Sequence, residues 1–117
     1  MEDLSDKSLK PVIFKASGGY IFLDYLEIIM CCAEGNYTVV YTTLGTNSFK
    51  ILHKINYISR KYQTDNFIRC HKSYIINLSH LEKLLVTTHQ AQLTGGYLAP
   101  LSNDCWRKLK DLTEQYM

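Results

Sequence analysis

Arg69, His71, Lys72 and Ser73 fall within five consecutive positions of a 117-residue chain, between Phe67-Ile68 on one side and Tyr74-Ile75-Ile76 on the other. The apolar flanks are short enough to be strands, so the polar residues read as a tight turn, His71-Lys72-Ser73, held on a rigid support. A turn of this kind projects several types of donor at once. Arg and Lys can meet phosphate or a guanine edge, while Ser and His add shorter hydrogen bonds. The segment alone leaves a second reading open, a basic hairpin with no partner.

Other chemistries lack the residues they need. Cys70-His71 is the only adjacent thiol and base, and neighbours on a strand point to opposite faces, which argues against their cooperation as nucleophile and general base. Cys31 and Cys32 lie in an apolar run and read as packing residues; Cys105 stands apart, and no CxxC pair or zinc spacing occurs. His53, His71, His80 and His89 are scattered over different segments without an HExxH pattern. The pairs Gly18-Gly19 and Gly95-Gly96 lack the further glycine or the Lys-Ser/Thr that a phosphate-cradling loop requires, and read as hairpin turns. The expectation is a protein that is not an enzyme and that holds neither metal nor cofactor.

Charge separates the chain into unequal parts. The whole carries +2 with a pI near 8.3. Residues 1–49 set three Lys against six carboxylates, residues 84–117 are balanced, and residues 50–83 set seven Lys or Arg against Asp65 and Glu82. The middle segment therefore either attracts a polyanion or forms a solvated helix face. The N-terminus, MEDLSDKSLK, lacks the apolar core of a signal peptide, no apolar run reaches bilayer length, and four cysteines without a framework suit a reducing cytosol.

The elements that must position the turn follow from period and punctuation. A mass of 13.6 kDa with 46% hydrophobic residues suits one domain. Residues 1–10 read as a flexible tail and 11–117 as the domain. Val12–Phe14 and Tyr20–Leu23, separated by Ser17-Gly18-Gly19, form a hairpin; Glu27–Ala33 and Tyr37–Thr42 form a second, about Gly35-Asn36. Gly45-Thr46-Asn47 reads as a turn into Phe49. Ile51, Ile55, Ile58 and Tyr62 recur at helical spacing, predicting an amphipathic helix over about 50–61 with Lys50, Lys54 and Lys61 off its apolar stripe. Phe67–Cys70, Tyr74–Asn77, Leu81–Thr87, Ala91–Thr94 and Tyr97–Ala99 read as strands, the last stopped by Pro100. Ser102 can cap a terminal helix whose stripe is Trp106, Leu109, Thr113 and Tyr116, with Asp104 near its positive end.

The run Phe67-Ile68-Arg69-Cys70-His71-Lys72-Ser73-Tyr74-Ile75-Ile76-Asn77 resembles the signature of the LytTR family of bacterial transcription-regulator domains, F-x-R-x-H-(R/K)-S-(Y/F)-(I/V)-(V/I)-N, element by element. The resemblance extends upstream through Ile21–Leu23 and Ala33-Glu34-Gly35-Asn36-Tyr37, through the helix, and downstream through Leu81–Thr94 and Pro100-Leu101-Ser102, covering essentially residues 12–112. It implies a mainly β fold of about ten short strands in stacked sheets, with one short internal helix and a C-terminal helix. It also implies sequence-specific binding of double-stranded DNA, with loops rather than a recognition helix entering successive major grooves. Carried over residue by residue, the candidate DNA-binding positions are Asn36, Tyr37, Arg69, His71, Lys72, Ser73, Ser102 and Asn103, with Lys72 the foremost.

Two departures bear on this reading. The family usually places Arg or Lys directly after the Ser of the last loop, where this chain has Asn103; Asn can read adenine bidentately, but a charge is lost. Ser102 or Asn103 equally reads as the helix cap, and His71 as a brace within its turn. The family's domains also commonly follow a phosphoacceptor receiver domain, absent from this sequence, so the chain reads as a stand-alone regulator or an excised piece. Direct-repeat sites would seat a homodimer or two copies spaced by about 10–10.5 base pairs. Two other readings compete: a LytTR-like interaction module that has lost DNA binding, and a redox sensor using Cys70 beside Arg69 and His71.

Overall fold

Glycines at sharp corners and alternation between covered and solvated side chains divide the chain into ten strands and two helices. The computed structural model describes residues 11–45, 48–62, 64 and 66–117, so the expected tail over 1–10 and the Thr46-Asn47 part of one turn lie outside the described residues. The strands are β1 Val12–Ala16, β2 Gly19–Leu23, β3 Ile28–Glu34, β4 Tyr37–Thr42, β5 Ser48–Ile51, β6 Phe67–His71, β7 Tyr74–Asn77, β8 Leu81–Leu85, β9 Gln90–Leu93 and β10 Tyr97–Pro100. The helices are α1 Ile55–Lys61 and α2 Asn103–Tyr116.

All strand pairs are antiparallel. A seven-stranded sheet runs β2-β1-β5-β4-β3-β7-β6 and a three-stranded sheet runs β10-β9-β8. The larger sheet is covered on both faces at its centre. One core joins Phe14, Leu23, Ile28, Cys31, Val40 and Ile75 to Ile55 and Ile58 of α1; the other joins Ile29, Met30, Cys70 and Ile76 to the small sheet and to Trp106 and Leu109 of α2. Strand β3 serves both cores, and for that reason Ile28-Ile29-Met30-Cys31 is a continuous apolar run rather than an alternating one. A register shift between Ile28 and Met30 breaks the alternation, so that Ile29 and Met30 both face the second core while Ile28 and Cys31 face the first. His80 ties the sheets together: its Nε2–H donates to the Leu26 carbonyl at 2.6 Å and its Nδ1 lies 2.9 Å from the Thr94 hydroxyl.

The mainly β architecture and both helices match expectation, and the hairpin turns fall where the glycines placed them. The internal helix does not begin at residue 50. Ser48–Ile51 is strand β5, and Ile51 is fully buried opposite Thr38 and Ala16 in the large sheet. Ile51 lies four residues before Ile55 by coincidence, because the last inward position of a strand and the first inward position of a helix both face one core. At the C-terminus the apolar stripe of α2 ends with Leu109; Thr113 is exposed and Tyr116 is 86% exposed.

Strand β1 touches β5 through one pair, Ala16 with Ile51, and then diverges from it. Side chains replace the missing ladder. The Tyr62 hydroxyl accepts from the Ile13 N–H and donates to the Ile13 carbonyl, His53 Nε2 accepts from the Lys15 N–H, and the Leu52 N–H donates to the Lys15 carbonyl. Backbone groups that would otherwise face a widening gap are thereby satisfied.

Candidate nucleic-acid interface

Strand order brings together loops that are far apart in sequence. Strand β3 pairs with β4 on one side and β7 on the other, so the Gly35-Asn36 turn and the Lys72-Ser73 turn are neighbours at one end of the sheet. The Ala33 N–H donates to the Ser73 carbonyl at 2.8 Å, fixing one turn against the other. The Ser102 N–H donates to the Cys70 carbonyl at 2.9 Å and brings the loop into α2 alongside. All eight candidate residues therefore lie at one end of the protein.

The turn at Lys72-Ser73 is braced from within. Strands β6 and β7 shift register between Arg69 and His71, leaving Cys70 as the extra residue. Arg69 bends over the turn: its Nε donates to the His71 carbonyl at 3.0 Å, and its Nη2 donates to the Lys72 carbonyl and to Asn56 Oδ1 of α1, the latter at 3.0 Å. His71 Nδ1 accepts from the Ser73 N–H at 3.1 Å, and the ring packs edge-on against Tyr74. The bracing reading of His71 is thus realised, and Arg69 shares it. Lys72 is exposed and, among the described residues, its ammonium has no partner. Two side chains fix the turn and a third is left free at its tip.

The motif's last residue, Asn77, is buried and its role is internal. Its Nδ2 donates to the carbonyls of Tyr25 and Ile28, and its Oδ1 accepts from the Ser79 N–H. An amide satisfies both kinds of group at once where the chain leaves β7, which an apolar residue of similar size could not do.

The other two loops follow local rules. Gly35 adopts φ +63°, the left-handed conformation that glycine allows at a tight two-residue turn, and Asn36 at the turn is exposed. The ring of Tyr37 lies beneath Lys50 Nζ, 4.4 Å from its centroid, so Lys50 extends the basic character of this end. Ser102 caps α2, its Oγ accepting from the Cys105 N–H at 3.2 Å, while Asn103 is exposed at the first helical position. The capping reading of Ser102 is realised; Asn103 keeps its side chain for solvent.

Three features went unnoticed in the sequence. Asn56 anchors Arg69, but no pattern links a helix residue to a strand residue that follows it by thirteen positions. His89 holds φ +53°, stacks on Trp106 with ring centroids 4.2 Å apart, and accepts at its carbonyl from the Leu101 N–H, placing the β8–β9 turn beside the third loop. A non-glycine residue in that conformation leaves no reliable trace in sequence. Arg60 of α1, Arg69 of β6 and Lys108 of α2 line a cleft of about 310 Å³ with Ser59 and Thr64, a cationic recess assembled from three elements.

The thiols are placed for packing. Cys70 is fully buried, near the carbonyls of Tyr74 and Pro100, and burial pushes its pKa up to about 12, with Cys105 adding to the rise and Arg69 only partly opposing it. This runs against the redox reading, which needed the neighbouring charge to lower that pKa. Among the described residues, no group of three or more His, Cys, Asp or Glu could hold a metal ion, and no helix is long and apolar enough to cross a membrane.

Comparison with known proteins bears on the fold and the family. No curated protein matches the chain. The solved structure of a LytTr DNA-binding domain from a methyl-accepting/DNA response regulator of Bacillus cereus shares the fold, with a TM-score of 0.71 and 22% identity over 88% of this chain and 95% of that one. The family model for the LytTr DNA-binding domain matches residues 18–114, from the first hairpin turn to the last turns of α2. The chain belongs to the LytTR family, whose domains bind DNA in regulation.

Proposed function

We propose that this chain reads duplex DNA by sequence through the end of the molecule where the three loops converge. The observation that carries the reading is their mutual fixation through Ala33 to Ser73 and Ser102 to Cys70, which makes one rigid surface of positions 36–37, 69–73 and 102–103. Rigid placement of donors is what base-edge recognition needs, and loops on this surface would enter successive major grooves. Lys72, Asn36 and Asn103 are the groups whose side chains are free to contact DNA. Tyr37 and Ser73 flank them, Ser102 offers its remaining hydroxyl capacity, and Arg69 and His71 act mainly by holding Lys72 in place. The cleft lined by Arg60, Arg69 and Lys108 suits phosphates of the flanking backbone.

The test is fluorescence anisotropy on duplexes selected from a random pool, titrated against a scrambled control at several salt concentrations. Selective binding with a steep salt slope is expected; equal, weak binding to both duplexes would refute the reading and favour an interaction module. If Lys72 contacts phosphate, Lys72→Ala reduces the magnitude of the log-log salt slope by about one and weakens all sequences alike. If it reads guanine, discrimination falls by about 1–3 kcal/mol instead. Sites built as direct repeats about 10–10.5 base pairs apart would seat two copies, bound as a homodimer or independently, on one face of the duplex.

A further inference from the structure

An unpaired strand edge is a template for pairing unless charge, proline or a bulge blunts it. The two sheets have four outer strands, and three carry such devices. Strand β6 has Arg69 and a register shift, β8 has Glu82, Lys83 and a register shift, and β10 ends in Pro100. Strand β2, Gly19-Tyr20-Ile21-Phe22-Leu23, has neither charge, proline nor bulge.

Its hydrogen-bonding pattern is also self-complementary. Ile13 and Lys15 direct their backbone groups away from β2, toward Tyr62, His53 and Leu52. Their partners in register, Phe22 and Tyr20, must therefore direct theirs away from β1, to the open edge. Among the described residues, nothing pairs with that edge. If a second β2 lies antiparallel with Ile21 opposite Ile21, Tyr20 faces Phe22 of the other copy and every outward N–H meets an outward carbonyl. Shifting the register either way opposes one of these residues to Gly18 or Asp24 and leaves groups unpaired.

Side chains favour the same register. On the solvent face, Phe22 stands beside Ile13 and Tyr20 beside Lys15, with Tyr20 67%, Phe22 44% and Ile13 37% exposed. Pairing would extend each row into Ile13-Phe22-Tyr20-Lys15 across the two copies, with aromatic rings on directly opposed residues about 5.5 Å apart at Cα.

We propose that two copies of this chain associate through their β2 edges, joining the two large sheets into one across a two-fold axis. Such an interface is isologous, so it differs from any head-to-tail contact between copies on direct repeats. One pair of five-residue strands is a small contact beside the roughly 800 Å² per partner of a standard interface, so the association is expected to be weak.

Sedimentation velocity of the full chain without DNA, from about 5 to about 500 μM, tests this independently of DNA recognition. The expected result is a rise from the 13.6 kDa monomer toward twice that mass. The double variant Tyr20→Lys, Phe22→Lys opposes like charges and should stay monomeric with an unchanged circular dichroism spectrum. Tyr20→Lys combined with Phe22→Glu opposes unlike charges in the same register and should restore the dimer. A monomeric wild type over the whole range, a dimer that persists in the folded Lys/Lys variant, or a Lys/Glu variant that folds but stays monomeric would each overturn the proposal. Should either double variant fail to fold, Phe22→Pro removes an outward donor and the Phe22 ring while leaving the hydrogen bonds between β1 and β2 in place, and should by itself abolish association.

Discussion

Arg69→Lys separates a brace from a contact. The substitution keeps the positive charge but removes the planar fork that reaches two carbonyls and Asn56 together. A lysine retains one of the three hydrogen bonds. The two lost bonds lie at an exposed turn where water can replace them, so each is valued near the low end of the usual range, about 0.5 kcal/mol. Together they amount to about 1 kcal/mol, which for a chain of 117 residues corresponds to a fall of about 4 °C in Tm. The assay is thermal unfolding by circular dichroism, run beside anisotropy titrations at several salt concentrations. With Arg69 as a brace, Tm falls, all duplexes are bound more weakly, and the salt slope is unchanged. An unchanged Tm with a selective loss for the preferred duplex would refute the reasoning, because it would mean that the guanidinium's geometry is used on DNA rather than on the turn.

Other expectations follow from the same interactions. Asn77→Leu leaves the carbonyls of Tyr25 and Ile28 and the Ser79 N–H without their partner, and should cost about 2–4 kcal/mol in urea unfolding. The pKa of His53 is lowered, first by burial and then by Lys61 and Lys15, so the fold favours its neutral form, which accepts from the Lys15 N–H. Because the folded value lies below the ordinary 6.5, this stability is complete above pH 6.5 and is lost as pH falls through the folded pKa. Wild-type Tm should therefore drop as the pH falls below 6.5, and His53→Gln should flatten that part of the profile. For Cys70, a thiol pKa of about 12 in place of 9.0 cuts the thiolate at pH 8 by on the order of a thousandfold, so iodoacetamide should spare it in the native protein and label it on unfolding. Rapid native labelling of Cys70, located by peptide mass, would contradict its burial.

Much of this protein is determined locally and is readable from its residues. Gly18 and Gly35 mark hairpin turns because the chain needs positive φ there. Period-two alternation in Tyr37–Thr42 marks a strand with one covered face, and Ser102 marks a helix start because its hydroxyl caps the Cys105 N–H. The run from Phe67 to Asn77 named the family because its turn chemistry and flanking strands form a single local unit. Tertiary structure decided the rest, where the deciding partner lies far along the chain. Ile51 joined a strand because Thr38 and Ala16 were there to pair with it, although its spacing to Ile55 fits a helix equally well. Arg69 became a brace because α1 delivers Asn56 to it. The first two loops became one surface because β7 inserts beside β3, more than forty residues earlier in the chain, and the third joined them through the Ser102 N–H on the Cys70 carbonyl; hydrogen bonds between such distant segments carry no signature in either of them.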